Sequence, residues 1–174
     1  LPTGLERAGA AGRREVLEPT RYERGIVRAE RYWRDLNTLR PALMRGAATK
    51  PGEPPPPVPG DEEVERAFPD LAKSRQAAEA NLAEVAGGEA QGTVAAGARR
   101  SVARGVTGLM RGAAAGEVTH DLEAALAADP LLPEVYLALA GMAERDGDWE
   151  RSAGWCEKGL RVDQGHEGLL VRCC

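Results

Sequence analysis

The stretch Leu122-Glu123-Ala124-Ala125-Leu126-Ala127-Ala128-Asp129-Pro130 is echoed 34 residues later by Cys156-Glu157-Lys158-Gly159-Leu160-Arg161-Val162-Asp163-Gln164, with Glu, Leu and Asp in register. A fixed period of this size marks a stacked array, in which each unit buries its apolar face only against its neighbours. Runs rich in Ala and Leu favour helix. Aromatic residues make up only 4% of the 174 residues, beside 21 Gly and 12 Pro, a composition that argues against a β-sandwich. The expected fold class is all-α.

Working outward from the echo, residues 133–166 form one complete 34-residue unit. Tyr136 stands at its first large position, Leu139 and Ala140 form a Leu-small pair, and Gly147-Asp148-Trp149 makes a turn. Ser152 and Gly159 are the small positions of a second helix, and Leu160 and Val162 the apolar ones. In this pattern the unit resembles the tetratricopeptide repeat, a helix–turn–helix of 34 residues. Residues 99–132 resemble the family mainly in their second helix, through Val118, Leu122, Ala125, Leu126 and Pro130. Residues 167–174 enter a third, partial unit, with Leu170, Cys173 and Cys174 at packing positions. Ala143 and Gln164 depart from the family pattern, replacing an aromatic and a terminating Pro. The resemblance covers 99–174 and implies a right-handed α-solenoid whose concave face holds a peptide or another protein, with no chemistry of its own. Tyr136, Leu139, Ala140, Trp149, Ser152, Gly159 and Leu160 are expected to hold the fold. Either further chain or a partner is expected to cover the apolar end, since about three repeats are needed for a continuous core.

Upstream, residues 62–98 read as helical. Asp70 to Ala86 forms a helix closed by a left-handed cap at Gly87-Gly88. The segment through Val94, Ala98, Val102, Val106 and Leu109 carries Gly92, Gly97, Gly105, Gly108 and Gly112. Such a helix is broken, soft, or packed so closely that only Gly fits. Residues 48–61 contain Pro51-Gly52-Glu53-Pro54-Pro55-Pro56-Pro57-Val58-Pro59-Gly60, an extended proline-rich linker read as a spacer rather than a ligand for a proline-binding domain.

Residues 20–47 read as a basic amphipathic helix. A capping box at Thr20 and Glu23 opens it, Tyr22, Ile26, Ala29, Trp33 and Leu36 recur at helical spacing, and Pro41 ends or kinks it near residue 40. Residues 1–19 are expected to be irregular. Charge divides along the same line: residues 1–50 hold eleven Lys and Arg against six Asp and Glu, and the remainder twelve against twenty-one, for a net charge of −4. Arg21, Arg24, Arg28 and Arg31 share one helical face. This is read as a solvated face with Glu30 and Arg34 paired at i,i+4, or alternatively as a docking surface for RNA or an anionic membrane.

No phosphate-binding glycine loop, dinucleotide fingerprint, HExxH or CxxC pair is present. The sequence therefore predicts no enzyme, no cofactor and no metal. His120 and His166 read as surface or capping residues, Cys156 as a small core residue, and Cys173-Cys174 as packing residues rather than lipidation sites. The longest apolar run, Val135 to Ala143, is about half the roughly 20 residues a membrane-spanning helix needs. Three clustered cysteines make no disulfide framework, so an intracellular, reducing compartment is expected. Leu1 follows no leader-like segment, so the chain reads as processed or as a fragment.

For the concave groove, the inner face of residues 133–145 offers Glu134, Leu137, Gly141 and Glu144, which would repel the acidic tails that tetratricopeptide carboxylate clamps hold. Arg100, Arg104 and Arg111 of the preceding unit are expected to face inward, giving a groove that runs from basic to acidic. The function expected is a non-catalytic scaffold or adaptor, a subunit of a larger assembly that holds a peptide or partner helix. The alternative is an RNA- or membrane-associated accessory factor acting through the Arg-rich helix.

Overall fold

A computed structural model describes residues 4–46, 56–88 and 93–173; side chains are described over 21–45, 56–88 and 93–172. Among the described residues all regular structure is helical: α1 (Gly4–Gly46), α2 (Asp61–Ala67), α3 (Pro69–Ala86), α4 (Val94–Met110), α5 (Ala115–Ala128), α6 (Pro133–Arg145), α7 (Trp149–Val162) and α8 (Glu167–Cys173). The helices pair as hairpins α1/α3, α4/α5 and α6/α7, with α8 laid on α7.

The 34-residue period reappears in the helix boundaries: α5 and α7 each have 14 residues and begin 34 apart, at Ala115 and Trp149. Both end on an Asp in extended conformation, Asp129 and Asp163. Each Asp uses its side chain alike, Asp129 Oδ1 accepting from the Leu131 N–H (3.0 Å) and Asp163 Oδ1 from the Gly165 N–H (2.9 Å). These are Asx turns, in which a short carboxylate satisfies a backbone donor just past the helix and redirects the chain. Within the hairpins, Gly112 (φ +68°) and Gly147 (φ +75°) supply the left-handed residue that reverses the chain after α4 and after α6.

Helix α4 runs unbroken, and its packing shows which glycines are required. A Cβ on Gly105 would sit 2.8 Å from Leu122 Cγ on α5, and one on Gly108 3.1 Å from Val118 Cγ2, whereas Gly97 has open space apart from the Arg100 side chain. Close approach explains two of the glycines; Gly92 lies outside the described residues. Gly87 ends α3 in right-handed conformation (φ −84°) rather than the left-handed cap expected, its N–H bonding back to the Ala83 carbonyl (3.0 Å).

Helix α1 departs furthest from the sequence reading. It begins at Gly4 instead of at the Thr20 cap, so the segment 4–19 is helical rather than irregular, and it continues through Pro41 to Gly46. A proline removes one backbone donor and crowds the preceding turn, but beyond it Leu43 packs on the core, as Leu39 does before it. Tertiary contact holds the last turn. Tyr22, Ile26, Ala29, Tyr32 and Leu36 join residues of α2 to α6 in one core. The basic helix is thus half of an antiparallel hairpin, shown by the succession Arg21 to Glu84, Gly25 to Leu82 and Arg28 to Ala77. Of the proline-rich linker, residues 48–55 lie outside the described residues; Pro59 is buried, so the linker's end lies on the protein rather than free of it.

A second layer of order is ionic. Glu65 on α2 accepts from Tyr32 Oη (2.8 Å), Arg75 Nε (2.7 Å) and Arg75 Nη2 (3.0 Å), and Glu79 pairs with Arg75 (2.6 Å) and Arg111 (3.2 Å). Burial alone would raise the Glu65 carboxyl, but the hydrogen bonds from Arg75 and Tyr32 and the Arg75 charge outweigh it and hold it below its ordinary 4.5. A carboxyl depressed in the folded state contributes stability above its unfolded value and loses it as pH falls through the folded one. Glu65→Gln is therefore expected to cost roughly 1–3 kcal/mol at neutral pH. Urea titrations from pH 7 to pH 3 should show the parent losing more stability below about pH 4.5 than the variant.

Candidate functional site

A groove runs between α1, α6, the start of α7 and α8. Two adjoining hollows of about 360 and 380 Å³ share Trp33, Asn37, Leu137, Glu144, Trp149 and Arg172. Helical spacing assembles its walls. Trp33, Asn37 and Arg40 follow one face of α1, Leu137, Gly141 and Glu144 one face of α6, and Gly168, Val171 and Arg172 one face of α8.

Trp149 is the rim. Gly147 turns the chain, Asp148 caps α7 by accepting from the Arg151 N–H (3.0 Å), and the first helical residue is left 69% exposed. The tetratricopeptide-like pattern placed Trp149 among the residues that hold the fold. The structure corrects this: the backbone of the Gly-Asp-Trp turn does so, and the indole does not. Tyr136, by contrast, bonds the Pro130 carbonyl (2.9 Å) and stacks obliquely on Trp155, while Leu139, Ala140, Ser152 and Gly159 are buried. Leu160 packs half-buried at the edge of this cluster.

The charges lining the groove are mostly paired with one another. Asp61 accepts from Arg40 and from Arg145 Nη2 (2.5 Å), and Arg145 Nη1 reaches the Leu109 carbonyl (3.1 Å). Glu144 accepts from Ser152 Oγ (3.1 Å) and lies 3.3 Å from Arg172. Glu30 and Arg34, expected to pair with each other, instead reach His166 (3.5 Å) and Glu167 (3.2 Å), because α8 and the turn before it come within range of α1. Burial pushes the Glu30 carboxyl above its ordinary value, with His166 acting in the opposite direction. His166 is a capping residue, Nδ1 accepting from the Leu169 N–H (3.4 Å).

Of the residues named from sequence, Leu137, Gly141 and Glu144 line this groove. Glu134 does not, its carboxylate accepting a hydrogen bond from the Tyr22 hydroxyl of α1. The arginines of the preceding unit lie elsewhere: Arg104 pairs with Asp121 (2.9 Å), Arg111 with Glu79 (3.2 Å), and Arg100 is half-buried on α4 outside the groove. These residues therefore form no basic end of the groove: Arg104 and Arg111 bond carboxylates of α5 and α3, and Arg100 lies outside it. On the basic face of α1, Arg21 pairs with Glu84, Arg28 reaches the Ala77 carbonyl (3.5 Å), and Arg31 lies 3.8 Å from Asp35. Arg24 is engaged as well. That face borders α3.

Sequence reasoning missed Trp33, Arg172 and α8 as walls. Trp33 sits on the apolar stripe of α1 and reads as core, and only the packing of α8 beside α1 makes it a wall. On α8, Leu169 rather than Leu170 is buried, because α7 meets it through Gly159. The side chain of Cys173 and the whole of Cys174 lie outside the described residues. Among the described residues no three His, Cys, Asp or Glu side chains gather to hold a metal, and no helix is long and apolar enough to cross a membrane. No known protein family, curated protein or solved structure matches the chain.

Proposed function

We propose that this chain is a non-catalytic protein-interaction module, a scaffold or adaptor within a larger assembly, built of tetratricopeptide-like hairpins. It holds a peptide or partner helix in the groove between α1, α6 and α8. The observation that carries this reading is a 69% exposed tryptophan, Trp149, on the rim of a groove that Trp33, Leu137 and Val171 also line. Large aromatics half-presented over an apolar groove are the residues that dominate binding energy in helix and peptide recognition. The groove's charges are mostly paired within the chain, and Trp149 and Val171 are the large apolar residues it leaves exposed. The RNA or membrane reading loses ground because the arginines it needs bond α3 and residues of α1 itself.

The test is selection of random 16-residue peptides displayed on phage against the full chain, with Trp149→Ala used for counter-selection. Trp149→Ala should leave stability within about 0.5 kcal/mol, as for a surface substitution. It should weaken selected peptides by about 2 kcal/mol or more, some 30-fold. Peptides that bind both forms equally, or no peptides at all, would remove the groove from consideration.

A further inference from the structure

The groove already contains a guest from its own chain. Arg172, in the last turn of α8, is 13% exposed and lays its guanidinium against the bare backbone of Gly141, where a Cβ would stand 2.5 Å from Nη1. Glu144 lies 3.3 Å from the same nitrogen, yet among the described residues Nη1 is buried without a hydrogen bond. A guanidinium normally donates through all its N–H groups, and a buried donor left unmade is costly. The seat fits an arginine in shape and charge, but the arginine that fills it is held from an unfavourable direction.

Beyond the seat, acidic side chains also neighbour Trp149 in the chain. Asp146, Asp148 and Glu150 flank Trp149 in the chain and are exposed, as are Arg145 and Arg151, and no ion pair engages Asp146 or Glu150 among the described residues. An exposed indole next in the chain to two carboxylates, Asp148 and Glu150, attracts a cation on an apolar stem, through charge and through the ring face together.

We infer that the floor formed by Gly141 and Glu144 is a subsite for an arginine of the partner, and that Arg172 is an internal placeholder which the partner's side chain displaces. The partner is thus a basic, apolar segment: an amphipathic helix or strand with an arginine among Leu- or Phe-like residues. Its arginine takes the Glu144 carboxylate while its apolar residues meet Trp149 and Val171. This rests on the groove being the docking site. A placeholder reduces apparent affinity by the fraction of time it occupies the seat, so removing it tightens binding.

The experiment uses the phage-displayed peptides that depend on Trp149. Those peptides should share an arginine at one fixed position. Changing that arginine to Gln in the synthetic peptide should weaken binding to the parent about tenfold, and much less to Glu144→Gln. Arg172→Ala and Arg172→Gln should each bind the arginine peptide at least about threefold tighter than the parent, with unchanged far-ultraviolet circular dichroism. Peptides that depend on Trp149 but show no arginine preference would overturn the subsite and leave the groove standing. Weaker binding by both Arg172 variants would make that residue a strut rather than a placeholder, and would overturn the displacement. Absence of any Trp149-dependent peptide would remove both readings.

Discussion

Gly159→Leu destabilises the protein by about 3 kcal/mol, at the upper end of what overpacking costs. The reason lies in which atoms are met. A Cβ at 159 would stand 2.8 Å from Tyr136 Cβ on α6 and 2.6 Å from Leu169 Cδ1 on α8. The Leu169 tip can turn away, but Tyr136 Cβ is fixed to its backbone, so α7 must move off α6. Leu169 is fully buried and anchors α8, so displacing it also takes down the groove wall that carries Val171 and Arg172. Gly154, five residues earlier on the same helix, is the internal control: among the described residues nothing lies within 4 Å of its added Cβ. Gly154→Ala should stabilise by roughly 0.5–1 kcal/mol through helix propensity and chain entropy. Urea unfolding of the two variants reads both effects. A Gly159→Leu variant as stable as the parent would mean that α6 and α7 do not pack in this register.

Leu122→Ala should cost as much or more, about 3–5 kcal/mol. Leu122 is completely buried in the main core and fills the notch opposite Gly105. Removing a buried leucine costs transfer energy plus a cavity term, and the second grows where neighbours cannot collapse. Gly105 has no side chain to move in. Adding a methyl there should recover part of the loss, so Gly105→Ala with Leu122→Ala should fall short of the sum of the single effects. Calorimetry or denaturant titration of the four-member cycle measures this coupling. Strict additivity would contradict the α4/α5 contact.

How much of this could be read from sequence depends on the residue. Asp129 and Asp163 announced their period because a helix that ends in an Asx turn needs a short acceptor at a fixed place, and the structure uses both alike. Gly159 was legible as a close approach through the repeat pattern, whereas for Gly105 close packing was one of three readings, beside a broken or a soft helix, and the contact with Leu122 decides it. Helix α1 was less legible. Local rules stop a helix at Pro41, and only the docking of Leu43 on a core gathered from distant segments carries it further. The groove was half visible. Leu137, Gly141 and Glu144 follow from the spacing of α6. Trp33 belongs to a stripe that also packs the core, and Arg172 becomes a floor residue only because α8 folds back toward α1. Arg104 and Arg111 misled for the same reason: the carboxylates that engage them, Asp121 and Glu79, sit 17 and 32 residues away in the chain.

The groove between α1, α6 and α8 as a protein-docking site is the central claim, and the three tryptophans of the chain report on it directly. Trp33 and Trp149 line the groove, while Trp155 stacks on Tyr136 and lines a separate hollow with His120 and Met142. Nuclear magnetic resonance of the uniformly ¹⁵N-labelled chain, titrated with a selected peptide, resolves one indole N–H signal for each. The account predicts that the Trp33 and Trp149 signals move together while that of Trp155 stays in place. Movement of Trp155 alone, or of none of the three at saturating peptide, would contradict it.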